Sequence, residues 1–136
     1  MNFHPRFWLA LGASAILAVG CASQPTAVTV TMKEFAFDPG TVEAVAGQPI
    51  AITLVNDGTV EHDFVVEAIP HRDLSLSGGV EMDHGTMDMD DDVHAAVAAG
   101  TTATLTFTPE SAGEYKIVCT VAGHLESGME ATLLVR

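Results

Sequence analysis

The chain is short of cysteine and of positive charge. It has two cysteines, and five Lys plus Arg against eighteen Asp plus Glu, for a formal net charge of −13. Two cysteines cannot build a disulfide framework. The scarcity of cations argues against nucleic acid and anionic membrane surfaces as electrostatic partners. A basic redox partner, bound cations, or simple solubility remain as readings of the acidity. Beyond the first 25 residues no sustained helical period occurs, so a helical bundle is not expected. The charged fraction is only 17% against 48% hydrophobic, too apolar for a disordered chain. The 136 residues suit one domain with a single core.

What is present begins with a leader. MNFHPR has one Arg and no acid, and Phe7 to Val19 is an unbroken run of apolar and small residues, too short for a comfortable membrane span. This is the layout of a secretory signal peptide over residues 1–20. The following Cys21 closes AVGC, which resembles the lipobox of bacterial lipoproteins, although Ala18 stands where leucine is usual. That resemblance implies lipidation of Cys21 and a tether over 21–27, giving an exported protein held to a membrane of the cell envelope or periplasm. An ordinary cut near Ala22 is the alternative. In either case Cys119 is then the only thiol, so no internal disulfide can form. A lone thiol in an oxidising compartment needs burial or a bound partner.

The domain is expected over 28–136. TAVTVTMKEFAF reads as a first strand; TVEAVA, PIAITLVN, HDFVVEAI, TTATLTFT, GEYKIVC and MEATLLVR follow, separated by turn signals such as Asp38-Pro39-Gly40 and Asn56-Asp57-Gly58. From about Pro70 to Gly100 the pattern fails, which reads as an insertion at 70–100. Seven to eight short strands predict an all-β Greek-key sandwich or barrel. Phe35, Phe37, Phe64, Phe107, Ile117 and Leu133 are its expected core.

The most informative segment is CTVAGHLESGM, Cys119 to Met129, with the spacing Cys-x4-His-x4-Met. Alternation in GEYKIVC puts Tyr115, Ile117 and Cys119 on one apolar face, so the thiol points inward at a strand end. Gly123 and Gly128 let the segment loop back before MEATLLV. One loop can thus bring Cys119, His124 and Met129 to a common point. Zinc favours four donors from Cys, His or carboxylate. Two imidazoles, a thiolate and a weak axial thioether suit copper cycling between Cu(I) and Cu(II). His62, at the start of HDFVV and just after the Asn56–Gly58 turn, is the candidate second imidazole.

NDGTVEHDF followed by GEYKIVCTVAGHLESGM resembles the cupredoxin family, the type 1 blue copper proteins related to plastocyanin and azurin. The similarity runs from Thr29 to Arg136. It implies the cupredoxin fold and copper as cofactor, held by His62, Cys119 and His124 in a plane with Met129 on the axis. It implies a tie between Asp63 and Thr120 beside the site; the family commonly has Asn where Asp63 stands, and an ionised Asp would favour Cu(II). It further implies one-electron transfer with His124 as the exit, set in an apolar patch of Val121, Ala122, Gly123 and Leu125. The sequence offers no substrate pocket or general acid–base pair, so a monomer that is not an enzyme is expected. The expected partner is a redox protein of cytochrome or copper oxidase/reductase type.

The acidic stretch from His71 to His94 contains His71, Met82, His84, Met87, Met89 and His94, with six acids and no Lys or Arg between Glu81 and His94. Thioethers suit Cu(I), imidazole and carboxylate Cu(II). It reads either as a second, labile copper site or as a solvated insertion. Two functional classes follow: an electron carrier tethered to a membrane, or a copper-handling chaperone or storage protein that delivers to a copper acceptor.

Overall fold

The computed structural model describes Met1 and residues 24–78 and 92–136. Ten strands among these residues form two five-stranded sheets. The first contains β1 (Thr26–Lys33), β2 (Ala36–Asp38), β4 (Ile50–Asn56), β6 (His71–Ser77) and β8 (Thr102–Pro109), in the order β2-β1-β4-β8-β6. The second contains β3 (Thr41–Ala44), β5 (His62–Val66), β7 (Val93–Val97), β9 (Gly113–Val118) and β10 (Glu130–Val135), in the order β3-β10-β9-β5-β7. The all-β sandwich expected from the sequence is the fold observed. No helix of the described residues is long and apolar enough to cross a membrane.

The period-two pattern produces the sandwich directly, because alternate side chains of a strand leave opposite faces of the sheet. In β4 the residues Ile50, Ile52, Leu54 and Asn56 are buried while their neighbours are half-buried. Ala103, Leu105 and Phe107 of β8, and Ala131, Leu133 and Val135 of β10, alternate likewise. Together with Val30, Met32, Phe64 and Ile117 they fill the space between the sheets. Phe37 of β2 meets Phe64 of β5 edge-on at 5.7 Å, so this pair joins the two sheets. Each such ring, fully buried, contributes about 1.5–3 kcal/mol through its apolar surface.

Three expectations change. TAVTVTMKEFAF is not one strand but a hairpin: β1 and β2 pair antiparallel, Lys33 opposite Ala36, around the two-residue turn Glu34–Phe35. Phe35 is therefore not core; it is 47% exposed. The stretch from Pro70 to Gly100, where alternation is unreadable, contributes the edge strands β6 and β7. β6 pairs with β8 through an irregularity between Arg72 and Ser75 and buries little, and β7 is buried at nearly every position, so neither shows a clean period. With the divided first strand, these two bring the total above the seven or eight expected.

Candidate metal centre

Three connections meet at one end of the sandwich: the β1–β2 turn, the loop from Asn56 to His62, and the loop from Cys119 to Met129. Asn56 organises the second. Its amide donates to the carbonyls of Val60 (2.8 Å) and Val97 (2.7 Å), and its Oδ1 accepts from the Gly58 N–H (2.9 Å). The Glu34 carboxylate accepts from the Thr59 N–H (2.5 Å) and hydroxyl (2.7 Å), tying the β1–β2 turn to this loop. These two bonds and the backbone polarity around it hold Glu34 down at about 2.

The Cys119–Met129 loop is closed by its own backbone. The Cys119 N–H donates to the Met129 carbonyl (3.2 Å), and the Met129 N–H donates to the His124 carbonyl (3.0 Å). Gly123 and Gly128 take φ of 84° and 91°, conformations costly for other residues, as the sequence predicts. The loop thus delivers Cys119, His124 and Met129 to one place, and β5 supplies His62 from the facing strand end.

The side chains converge. Nδ1 of His62 and Nδ1 of His124 lie 3.2 Å apart; Cys119 Sγ lies 3.4 Å from the His124 nitrogen and 3.9 Å from that of His62. A point equidistant from these three atoms stands about 2 Å from each, close to ordinary metal–imidazole and metal–thiolate bond lengths of ~2.0–2.3 Å. His62, Cys119 and Met129 are fully buried, and His124 keeps 9% of its surface. Among the described residues the buried His62 Nε2 has no hydrogen-bond partner.

Electrostatics prepare neutral donors. Burial, then the neighbouring His124, keeps the His62 imidazole below its usual range and hence unprotonated near neutral pH. Burial pushes the Cys119 thiol up, against the opposing pull of the Asp63 and Val121 N–H groups. Burial thus favours the protonated thiol, and a bound cation would have to displace that proton. The Asp63 N–H donates to Cys119 Sγ at 3.4 Å. Thr120 donates its hydroxyl to the Asp63 carboxylate, the tie the sequence resemblance implies. On its other side Asp63 has His94, with Nε2 3.8 Å from Oδ1. Burial works against charge on Asp63, but His94 and Thr120 outweigh it and hold the carboxyl below the usual carboxylate range.

Among the described residues His62, Cys119 and His124 form the one cluster able to hold a metal ion. Two imidazoles, one thiolate and a buried thioether beside them fit copper rather than zinc. Of the expected secondary copper residues, His71 starts β6, with Nδ1 2.9 Å from the Ile69 carbonyl, and packs on Phe107. His94 belongs to β7 and faces Asp63. Met82, His84, Met87 and Met89 lie outside the described residues, as does Cys21.

Sequence reasoning missed Glu34, Phe35 and the use of His94. Phe35 packs perpendicular to the His124 ring, centroids 5.4 Å apart. Its φ is 65°, a left-handed conformation that costs a bulky side chain about 1–2 kcal/mol. Gly58 is also specific. A Cβ there would lie 2.7 Å from His62 Nε2, 3.0 Å from Glu34 Oε1 and 3.1 Å from Asn56 Oδ1.

Comparison with known proteins agrees with this geometry. The family model described as "Cupredoxin-like domain" matches residues 6–135. The chain is similar to the "Copper-resistant cuproprotein CopI" of Rubrivivax gelatinosus, 28% identical over 116 residues that cover 84% of this chain and 68% of that protein. Among solved structures, reduced auracyanin from the photosynthetic bacterium Roseiflexus castenholzii matches with a TM-score of 0.64 at 22% identity, covering 84% of this chain and 99% of that one. Auracyanin A, a "blue" copper protein from Chloroflexus aurantiacus, matches with a TM-score of 0.60 at 22% identity, covering 83% and 100%. These two likenesses concern the fold. With the family match over nearly the whole chain and a donor set suited to copper, the chain belongs to the cupredoxin-like family and is a copper-binding protein.

Proposed function

We propose that copper would be held by His62 Nδ1, Cys119 Sγ and His124 Nδ1, with the Met129 thioether as a weak further donor, and that the protein passes single electrons in the cell envelope. The carrying observation is the buried triangle of two imidazole nitrogens and one sulfur, with sides of 3.2, 3.4 and 3.9 Å. Bound copper supplies a one-electron couple between Cu(I) and Cu(II). The chain's part is to fix the donors before the ion arrives, to exclude water through the burial of His62, Cys119 and Met129, and to keep His124 nearest the surface. In this reading the protein is a carrier and not an enzyme. It works as a monomer with a basic-surfaced redox protein of cytochrome or copper oxidase/reductase type, and not with nucleic acid. Lipidation at Cys21 would hold it to the membrane. The test is a visible spectrum of the chain from about Ser23 onward after one equivalent of Cu(II). An intense thiolate band that vanishes in Cys119→Ala is expected; a colourless complex would overturn the ligand assignment.

The name of the Rubrivivax relative, a copper-resistant cuproprotein, favours a second reading. Here the domain serves copper handling, with Met82, His84, Met87 and Met89 gathering or releasing the ion for an acceptor. Because His94 is part of β7, the informative deletion spans residues 81–91 and leaves that strand intact. Lower copper stoichiometry or slower loading supports handling; unchanged values, with fast electron self-exchange, support the carrier.

A further inference from the structure

We propose that Phe35 is a cover on His124: its ring shields the imidazole, and so governs how readily water, small ligands and chelators reach the metal position. The proposal rests on His124 being a copper ligand, but its first readout does not need copper.

Two independent observations point to a role beyond packing. The first is placement. His124 sits in a loop whose neighbours Ala122, Gly123, Leu125 and Glu126 are all exposed, yet the ring keeps only 9% of its surface. Two rings pack on it: the buried His62, with centroids 4.9 Å apart, and Phe35, which is itself 47% exposed. The two rings meet at 86°, the edge-to-face arrangement aromatic pairs favour.

The second is backbone strain. A two-residue hairpin turn that needs a left-handed residue normally has glycine or asparagine there. This turn has a phenylalanine at φ 65°. A bulky aromatic that is both half-exposed and strained contributes little to the fold, and retained strain of this kind is characteristic of functional positions. The turn is also fastened in place. Glu34, next to Phe35, is bound twice by Thr59, in the loop that leads to His62. The cover is thereby anchored to the element that supplies the facing ligand.

The experiment uses the full chain with Phe35→Gly and Phe35→Tyr. In the apo-proteins, acylation of His124 by diethylpyrocarbonate is followed by peptide mass analysis, together with the thermal midpoint. In the copper-loaded proteins, the rate of copper removal by a chelator is followed. For Phe35→Gly we expect His124 acylation and copper removal to quicken by up to about tenfold, the factor that loss of one aromatic contact supplies. Its apo thermal midpoint should be unchanged or raised, since glycine relieves the strained φ. Phe35→Tyr, which keeps the ring, should match the parent protein in both rates. Wild-type rates in Phe35→Gly, or equal acceleration in both variants, would overturn the cover. If acylation responds as expected while no thiolate–copper band exists, the cover stands and the ligand assignment fails.

Discussion

Thr120 and Asp63, each one place after a residue of the His62–Cys119–His124 cluster, are joined by a hydrogen bond from hydroxyl to carboxylate. The bond ties the start of the Cys119 loop to the strand that presents His62, and the Asp63 N–H reaches back to the sulfur. The Cys119 sulfur and the first imidazole are therefore fixed relative to each other before any ion arrives. A buried negative charge beside the site stabilises the more positive metal state. Asp63→Asn keeps the size and an acceptor for Thr120 but removes the charge. The reduction potential should rise, by roughly 40 mV for an interaction of about 1 kcal/mol. A spectroscopic redox titration reads this; an unchanged or lower potential would show that the Asp63 charge does not set the potential.

Gly58 is confined by the ring it faces. A Cβ 2.7 Å from His62 Nε2 cannot be accepted unless the imidazole or the loop moves, and the ring is fully buried. Gly58→Ala should weaken copper binding by about 10–100-fold, the scale found when partners that orient a ligand are disturbed. The cost to apo stability should be about 1–3 kcal/mol. Competition with a calibrated chelator and urea unfolding measure the two separately.

How far such features can be read from the sequence depends on whether they lie in one segment. Alternation in PIAITLVN, TTATLTFT and MEATLLVR is legible because each strand has one face in the core and one toward solvent. The loop from Cys119 to Met129 is legible because three donors and two glycines sit in eleven residues. His62 can be inferred only as the missing donor. Phe35 is not legible, since Glu-Phe has none of the chemistry that announces a turn, and its alternation within KEFAF imitates a strand. β6 and β7 escape notice for opposite reasons, one exposed at most positions and the other buried at nearly all. The partnership of His94 with Asp63 depends on pairing between β5 and β7, which no local pattern encodes.

Acid should weaken the apo fold through His62. Its folded pKa lies below the ordinary imidazole value of about 6.5 because burial disfavours the cation. Above that value both folded and unfolded states hold it neutral, and its contribution to stability is fully present. As pH falls through about 6.5 the unfolded chain takes up a proton that the folded chain refuses, so stability declines. His62→Gln should remove part of this slope. Urea midpoints of both apo-proteins across pH 7.5 to 5.5 (roughly the imidazole range) provide the check. Asp63 acts in a lower window: its depressed carboxyl contributes stability above the ordinary carboxylate range, lost as pH falls further.

Met129 separates geometry from potential. It is fully buried, its N–H is bonded to the His124 carbonyl and its carbonyl to the Cys119 N–H, so its backbone helps to close the loop whatever side chain it has. A thioether is a soft donor that favours Cu(I), whereas an amide oxygen favours Cu(II). Met129→Gln should keep the intense thiolate band, because His62, Cys119 and His124 remain, while lowering the potential. Met129→Leu, similar in volume and costing under about 1.5 kcal/mol in packing, should keep the band and raise the potential, since no axial donor replaces the sulfur. Opposite shifts in two variants of similar size would identify the sulfur as a ligand. Equal potentials would identify Met129 as a packing residue that closes the loop through its backbone alone.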